Sequence, residues 1–316
     1  AVNNLNQVVG GMGSSQEAAF WKTPGAAATL LPPLPYVPPS PVPDAEWVGR
    51  DLFAVDINDD GIVTGLSLDE FEVENADGSV SVLRTETAVV WRVIVDGEGI
   101  VDVDGPLSLP PLLLVGHEQS NTTWSCLSEL NAADVAYVAG YSSCRVPENS
   151  VNFREAVVWE VRVNTVTGKL EVPGFPLGLG TLGLKEQSTS EGLGINNESC
   201  VCGSSDGLPV FSTGFLAVEP LPVPRKTLLG IAYDINDAGD VVGQINLPVP
   251  GSNTLPGFSY AYLWKQGELI DLTKQISRDC GWNTLNWAGV INNLGVIGGT
   301  GSFDVPNRGF LLIPSE

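Results

Sequence analysis

The stretch Ala232-Tyr233-Asp234-Ile235-Asn236-Asp237-Ala238-Gly239-Asp240-Val241-Val242-Gly243 holds the plan of the chain. An aliphatic residue leads into Asn. Two variable residues and Gly follow, and an apolar pair ending on Gly leads out. Asn and Gly tolerate positive φ, and an Asn side chain can close an Asx turn. Strand, tight turn and strand therefore make a β-hairpin. The pattern occurs six times: Val2-Asn3 to Gly10, Ile57-Asn58 to Gly65, Leu130-Asn131 to Gly140, Ile195-Asn196 to Gly203, Ile235-Asn236 to Gly243 and Ile291-Asn292 to Gly299. The third copy carries two extra residues. The turn Gly is replaced by Asn6 in the first copy, by Asp134 or Val135 in the third and by Ser199 in the fourth. Loss of the Asn58 side chain is expected to cost its hairpin about 1 kcal/mol.

Each copy is followed by an apolar strand that often ends in Trp: Ala18-Ala19-Phe20-Trp21, Ala88-Val89-Val90-Trp91, Ala156-Val157-Val158-Trp159 and Ala261-Tyr262-Leu263-Trp264. The fourth and sixth copies have Gly214-Phe215-Leu216 and Gly309-Phe310-Leu311 there. A further short apolar segment, such as Leu269-Ile270-Asp271-Leu272, supplies a fourth strand after several copies. A small antiparallel sheet cannot bury both faces alone, so the units must stack. The repeated asparagines lie 40 to 73 residues apart, the scale of a propeller blade with loops. The expected fold is all-β: a single six-bladed β-propeller over residues 1–316, with three to four antiparallel strands per blade. The blades run approximately 1–48, 49–115, 116–185, 186–226, 227–280 and 281–316. Two insertions, the proline-rich Pro32 to Pro43 and the acidic Leu68 to Arg84, are expected to be surface loops.

Composition narrows the function. The formal charge is −22, from 37 acidic and 15 basic residues. Phosphate recognition needs cationic groups, so nucleic acid and anionic membrane surfaces are not the expected partners. The apolar run Leu109 to Val115 is too short for a membrane helix and contains two prolines. The sequence begins at Ala1, as expected of a secreted protein whose signal peptide has been removed.

These residues resemble the HAF-type extracellular repeat. That family carries an Ala-x-x-Ile-Asn-x-x-Gly-x-Val-Val-Gly core, an Ala-Phe-x-Trp strand and a Leu-Gly-Thr-Leu-Gly segment. Ala232 to Gly243 reproduces the core, and Leu179-Gly180-Thr181-Leu182-Gly183 the third element. The resemblance covers nearly the whole chain. It implies bacterial export and a propeller, and it brings no catalytic residues.

One loop has oxygen ligands at alternate positions before Gly61, as a calcium loop begins, and a second is a weaker version of it. They are Asp56, Asn58 and Asp60, and more weakly Asp234, Asn236 and Asp240. Neither shows the bidentate Glu of a complete site, and four other copies keep Asn without the acids, so turn formation is the competing reading. No other cofactor is expected. The single histidine, His117, has no Gly-x-Ser-x-Gly elbow beside it, so no enzyme is expected. Five cysteines are present. Cys126 and Cys144 flank the third hairpin, whose turn is expected near Asp134 and Val135, and would then meet in a cross-strand disulfide. Cys200 and Cys202 share a strand face, and Cys280 is a partner for one of them. Trp21, Trp91, Trp159 and Trp264 recur in register and should pack between blades. Trp47, Trp124, Trp282 and Trp287 lie outside that register and are the candidates for a binding surface.

The expected function is that of a secreted, non-enzymatic structural protein of an extracellular or biofilm matrix, self-assembling into filaments. The alternative is a calcium- or glycan-binding adhesion module. Self-association is the first expectation for a partner, and matrix polysaccharide the second. The last unit reads one strand short, which exposes the edge Arg308, Gly309, Phe310, Leu311, Leu312 and Ile313 to strand addition. Residues Ala1 to Asn6 of a neighbour are one expected source of that strand.

Overall fold

The computed structural model describes residues 1–13, 16–35, 46–75, 77–112, 118–146, 151–184, 187–251, 256–303 and 307–314, without the side chains of 118–125, 144–146, 151–152, 256 and 278. The chain is all-β and forms six antiparallel sheets. The first holds β1 (Val8–Met12), β2 (Glu17–Trp21) and β3 (Thr29–Leu30). The second holds β4 (Glu46–Ile57), β5 (Ile62–Glu74), β6 (Val80–Val95) and β7 (Val101–Ser108). The third holds β8 (Glu118–Leu127), β9 (Val135–Val146), β10 (Val151–Val163) and β11 (Leu170–Glu171), with β12 (Leu177–Gly178) also beside β10. The fourth holds β13 (Ser190–Ile195), β14 (Cys200–Ser205), β15 (Leu208–Thr213) and β16 (Glu219–Pro220). The fifth holds β17 (Leu229–Ile235), β18 (Val241–Pro248), β19 (Pro256–Lys265) and β20 (Glu268–Asp271). The sixth holds β21 (Thr284–Ile291), β22 (Ile297–Ser302) and β23 (Arg308–Leu312). Within each sheet the main path follows chain order.

The chain divides into two compact units. One comprises Ala1–Phe153 and Val157–Leu177, the other Arg154–Ala156 and Gly178–Glu316. In the first unit, Val9, Phe20 and Leu31 of the first sheet pack with Leu52, Val63 and Trp91 of the second. Ile62, Val90 and Leu109 carry the second sheet onto Val138, Val157 and Trp159 of the third. In the second unit, Cys202 and Leu221 meet Ala232, Ile235 and Val241, while Val242 and Ala261 meet Leu285, Ile291 and Ile297. Neighbours along a strand point to opposite faces. Hence Val241 serves one interface and Val242 the next, and a sheet buried on both sides needs the apolar pair that the sequence repeats.

The turn is the same in all six copies. The Asn N–H donates to the carbonyl four residues on, as from Asn58 to Ile62 at 3.1 Å and from Asn236 to Asp240 at 3.1 Å. The residue three after Asn has positive φ every time: Asn6 60°, Gly61 75°, Asp134 58°, Ser199 60°, Gly239 79° and Gly295 75°. The three copies without Gly thus hold the same left-handed conformation, and of their residues Asn6 and Asp134 are types that bear it well.

The closing Gly of the motif has a different cause. In the second, fourth, fifth and sixth sheets a bulge falls just before the turn, as between Ala54 and Asp56 or between Ala232 and Asp234. It brings a first-strand carbonyl against the Gly. A Cβ on Gly65, Gly203, Gly243 or Gly299 would stand 1.8–2.0 Å from the oxygen of Phe53, Glu191, Ile231 or Trp287. The residue opposite is correspondingly small: Ala54, Gly192, Ala232 or Ala288.

A leucine after the last strand latches five of the sheets. Leu31, Leu109, Leu179 and Leu221 donate backbone N–H groups to Ala18, Ala88, Ala156 and Pro209 at 2.8–2.9 Å, and their side chains are buried, as is that of Leu272. Carbonyls just beyond two latches then hold tryptophans of the following sheet: Trp91 Nε1 donates to Pro32 O at 2.8 Å and Trp159 Nε1 to Pro110 O at 2.7 Å. Trp91 and Trp159 are fully buried, so these two members of the repeating set do pack between sheets.

Two sequence expectations fail here. The acidic segment Leu68 to Arg84 is not a loop insertion: it prolongs β5 and β6 into a long hairpin, paired from Leu68↔Glu86 to Glu74↔Val80. Alternating apolar and acidic residues give that segment a strand period which charge alone conceals. Residues Ala1 to Asn6 are not free to serve a neighbour as a strand. Val2 bridges Val8, Ala1 bonds Val9, and Asn3 and Asn4 bond the second sheet. Of the proline-rich segment, 36–45 lie outside the described residues.

Candidate functional site

The repeated asparagines use both ends of the side-chain amide. The oxygen closes its own turn: Asn58 Oδ1 accepts the N–H groups of Asp60 at 3.2 Å and Ile62 at 2.9 Å. The nitrogen reaches the next sheet. In the first unit Asn3 Nδ2 donates to Asn58 O at 2.9 Å, and Asn58 Nδ2 to Ser128 O at 3.0 Å. In the second, Asn196 Nδ2 donates to Asn236 O at 2.9 Å and Asn236 Nδ2 to Asn292 O at 3.2 Å. Each unit thus carries a ladder of stacked turns with one polarity, donor side chain to following carbonyl.

Acidic residues of the middle copies brace the ladders. Asp59 accepts the backbone N–H of Asn4 at 2.8 Å and its Nδ2 at 2.9 Å, and Asp237 does the same for Asn197 at 2.9 and 3.0 Å. Asp56 Oδ2 accepts from Leu127 N–H at 3.0 Å, and Asp234 Oδ2 from Ile291 N–H at 2.8 Å. Asp60 accepts from Leu130 N–H at 3.1 Å, and Asp240 pairs with Lys265 at 2.7 Å. The oxygens expected to face calcium are therefore turned toward N–H donors. No group of three or more His, Cys, Asp or Glu side chains is placed to hold a metal ion among the described residues. The signal for bracing was present in the sequence: Asp-Ile-Asn-Asp occurs in the second and fifth copies alone, the middle member of each unit.

Sequence reasoning missed Glu129. Its carboxylate accepts the Asp59 N–H at 2.9 Å, and this brings four acids, Asp56, Asp59, Asp60 and Glu129, to one junction. Burial, then repulsion from Asp59, Asp60 and Asp56, pushes the Glu129 carboxyl up to about 7. Burial raises Asp56 to about 6, against the pull of the Ile57 and Leu127 N–H groups. An acid whose folded pKa lies above its unfolded value binds protons more tightly when folded. Its contribution to stability is complete below the unfolded pKa and is lost as pH rises through the folded one. The chain should therefore be more stable at about pH 5 than at about pH 8. Glu129→Gln keeps an acceptor for Asp59 and removes the charge. It should leave stability at the lower pH unchanged and raise it at the higher by about 1 kcal/mol, after discounting for partial solvent screening. Urea unfolding of both proteins at the two pH values checks this. Parallel pH profiles would show that Glu129 is not the titrating group.

The cysteine expectation is corrected. The third turn closes at Asn131, whose N–H bonds Val135 O, so its centre lies earlier than Asp134 and Val135. In the resulting register Cys126 faces Ala139 and Cys144 faces Gln119. Ala139 and Cys144 are five residues apart on one strand, roughly 17 Å, which is far beyond disulfide reach. Cys202 is buried in the core with Cys200 beside it, while Cys280 is exposed, and Cys200 and Cys280 stand as separate thiols. His117 lies outside the described residues.

No family model, no curated protein and no solved structure matches the chain. Of the tryptophans outside the register, Trp282 packs edge-on to Phe303 and Phe310, and Trp287 edge-on to Tyr233. The side chain of Trp124 lies outside the described residues. Trp47 lines a cavity of about 310 Å³ with Leu30, Pro32, Arg50 and Leu52. The buried Asp69 carboxylate holds Trp47 Nε1 at 3.2 Å and Arg50 Nε at 2.6 Å.

A second apolar surface among the described residues is on the sixth sheet. Phe310 and Leu312 turn toward the fifth sheet, while Arg308, Gly309, Leu311 and Ile313 face solvent. Leu311 lies opposite Gly298 as Leu263 lies opposite Val242. Leu263 packs against the sheet that follows it, whereas Leu311 is 66% exposed. No helix of the described residues is long and apolar enough to cross a membrane.

Proposed function

We propose that the chain is a secreted, non-enzymatic structural protein of an extracellular matrix, whose copies associate through the open strand edge of the sixth sheet. The observation that carries this reading is the sixth sheet itself: among the described residues it holds three strands and ends at β23 (Arg308–Leu312), where the second, fourth and fifth sheets each have a fourth strand. An unpaired strand edge is a template for a strand from another chain. The six sheets, joined by one recurring contact within each unit, are the parts a six-bladed β-propeller requires, and that is the arrangement proposed. Export and a place in a biofilm matrix rest on the resemblance to HAF-type repeats. The acidic balance keeps copies soluble until a specific contact forms.

Sedimentation of the 316-residue chain over a wide concentration range, with negative-stain imaging of the same samples, tests the reading. Concentration-dependent assemblies are expected. A monomer throughout overturns it. The second reading, a calcium- or glycan-binding adhesion module, draws on the Trp47 cavity. A melting temperature that rises with calcium would favour it.

A further inference from the structure

We infer that the cleft between the fifth and sixth sheets binds a small indole compound, seated where other repeats insert a tryptophan of their own. The inference does not depend on the assembly reading.

The third strand of a sheet carries one large side chain across from the residue five after the turn Asn. Trp21 stands there opposite Val8, Trp91 opposite Val63 and Trp264 opposite Val241. Trp159 holds the same place in the repeat of the third copy. The fourth copy has Ser212, whose hydroxyl donates to Leu216 O of its own repeat. The sixth has Leu312, opposite Ile297.

This side chain turns toward the preceding sheet. Trp91 packs with Phe20 and Leu31 of the first sheet, and Trp159 with Val90 and Leu109 of the second. Trp264 meets Phe211 of the fourth, with ring centroids 5.4 Å apart. Leu312 turns the same way, toward Val242, Ala261 and the latch Leu272 of the fifth. Leucine lacks the two fused rings, and the space they would fill is open. A cavity of about 480 Å³ lies there, walled by Leu263, Leu272 and Ile276 on one side and by Ile297 and Leu312 on the other. Every residue lining it belongs to the second unit. Apolar space of about 150 Å³ already accepts a benzene ring, so a two-ring aromatic fits.

One wall carries the polar group such a ring needs. Four residues after the turn Asn, the second copy has Ile62, fully buried in the cluster that holds Trp159. The fifth copy has Asp240 at that position. It is 6% exposed, lines the cavity and holds Lys265 Nζ at 2.7 Å. A carboxylate accepts up to about four hydrogen bonds, so Asp240 can take a ring N–H beside Lys265. A buried indole N–H seeks an acceptor, as Trp91 finds Pro32 O and Trp159 finds Pro110 O. Apolar walls with a single placed acceptor are the makings of a small-molecule site.

Indole itself is the probe, titrated into the 316-residue chain by calorimetry and followed by melting temperature. Saturable binding and a rise in melting temperature are expected. N-methylindole, which has no N–H, should bind several-fold more weakly. Leu312→Trp supplies the ring from within. It should melt higher than the parent and bind indole about tenfold or more weakly. No saturable binding by the parent overturns the inference, and so does equal affinity for N-methylindole. A Leu312→Trp chain that binds indole as the parent does, or that melts lower, also overturns it, because the cavity is then not the tryptophan place. Sedimentation with and without indole separates two sources of the ring. Binding that leaves association unchanged supports a free small ligand. Assemblies dispersed by indole would mean that a second copy's aromatic side chain fills the cleft, and the small-ligand assignment fails. A parent that binds indole and never associates overturns the assembly reading and supports this one.

Discussion

Gly243→Ala is expected to destabilise the chain by on the order of 3 kcal/mol or more, enough to cost the fifth sheet its fold. The new Cβ would lie 2.0 Å from Ile231 O and 2.7 Å from the Tyr262 ring. A flexible side chain could move aside, but the carbonyl cannot. It belongs to β17, which is hydrogen-bonded along β18 and packed on the fourth sheet. Relief would require opening the bulge between Ala232 and Asp234, and with it the placement of Asp234 on Ile291. The first copy supplies the control. Gly10 holds the same motif position, yet a Cβ there would meet nothing nearer than the Trp21 ring at 3.8 Å. Gly10→Ala should therefore cost less than about 1 kcal/mol. Urea unfolding of both variants decides the matter, and equal losses would show that the close carbonyl is not why the motif ends in Gly.

That contrast shows what a sequence can and cannot disclose. The turn was legible because its chemistry is local: Asn closes the loop, and the residue three later must tolerate positive φ. Six hairpins and six sheets follow from that alone. The place of Trp91 and Trp159 between sheets was legible from period. The reason for the closing Gly was not, because it depends on a bulge that no residue type announces. The Cys126–Cys144 pairing failed over a shift of about two residues in the turn centre, which is fatal to a disulfide and invisible to composition. Glu129 was missed because it acts in another copy's turn, Asp59, seventy positions away. Leu311 reads as an ordinary strand residue until its counterpart, Leu263, is seen to pack against a following sheet.

Asn58→Ala should cost about 3 kcal/mol, well above the 1 kcal/mol that a turn bond alone would suggest. The side chain is 2% exposed and makes three bonds: two accepted within the turn and one donated across to Ser128 O. Alanine removes all three. It leaves the Ile62 N–H and the carbonyl of the buried Ser128 without these partners, and a stranded buried polar group is worse than a lost surface bond. Asn131 again separates the contributions. Its Oδ1 closes the same kind of turn, from Ala133 at 2.8 Å and Val135 at 3.3 Å, but it is exposed and donates to no described residue. Asn131→Ala should therefore cost only about 1 kcal/mol. The difference between the two variants, read by urea unfolding at one pH, measures the ladder itself. If the two losses agree within error, the bond to Ser128 adds nothing, and the sheets are held together by their apolar faces alone.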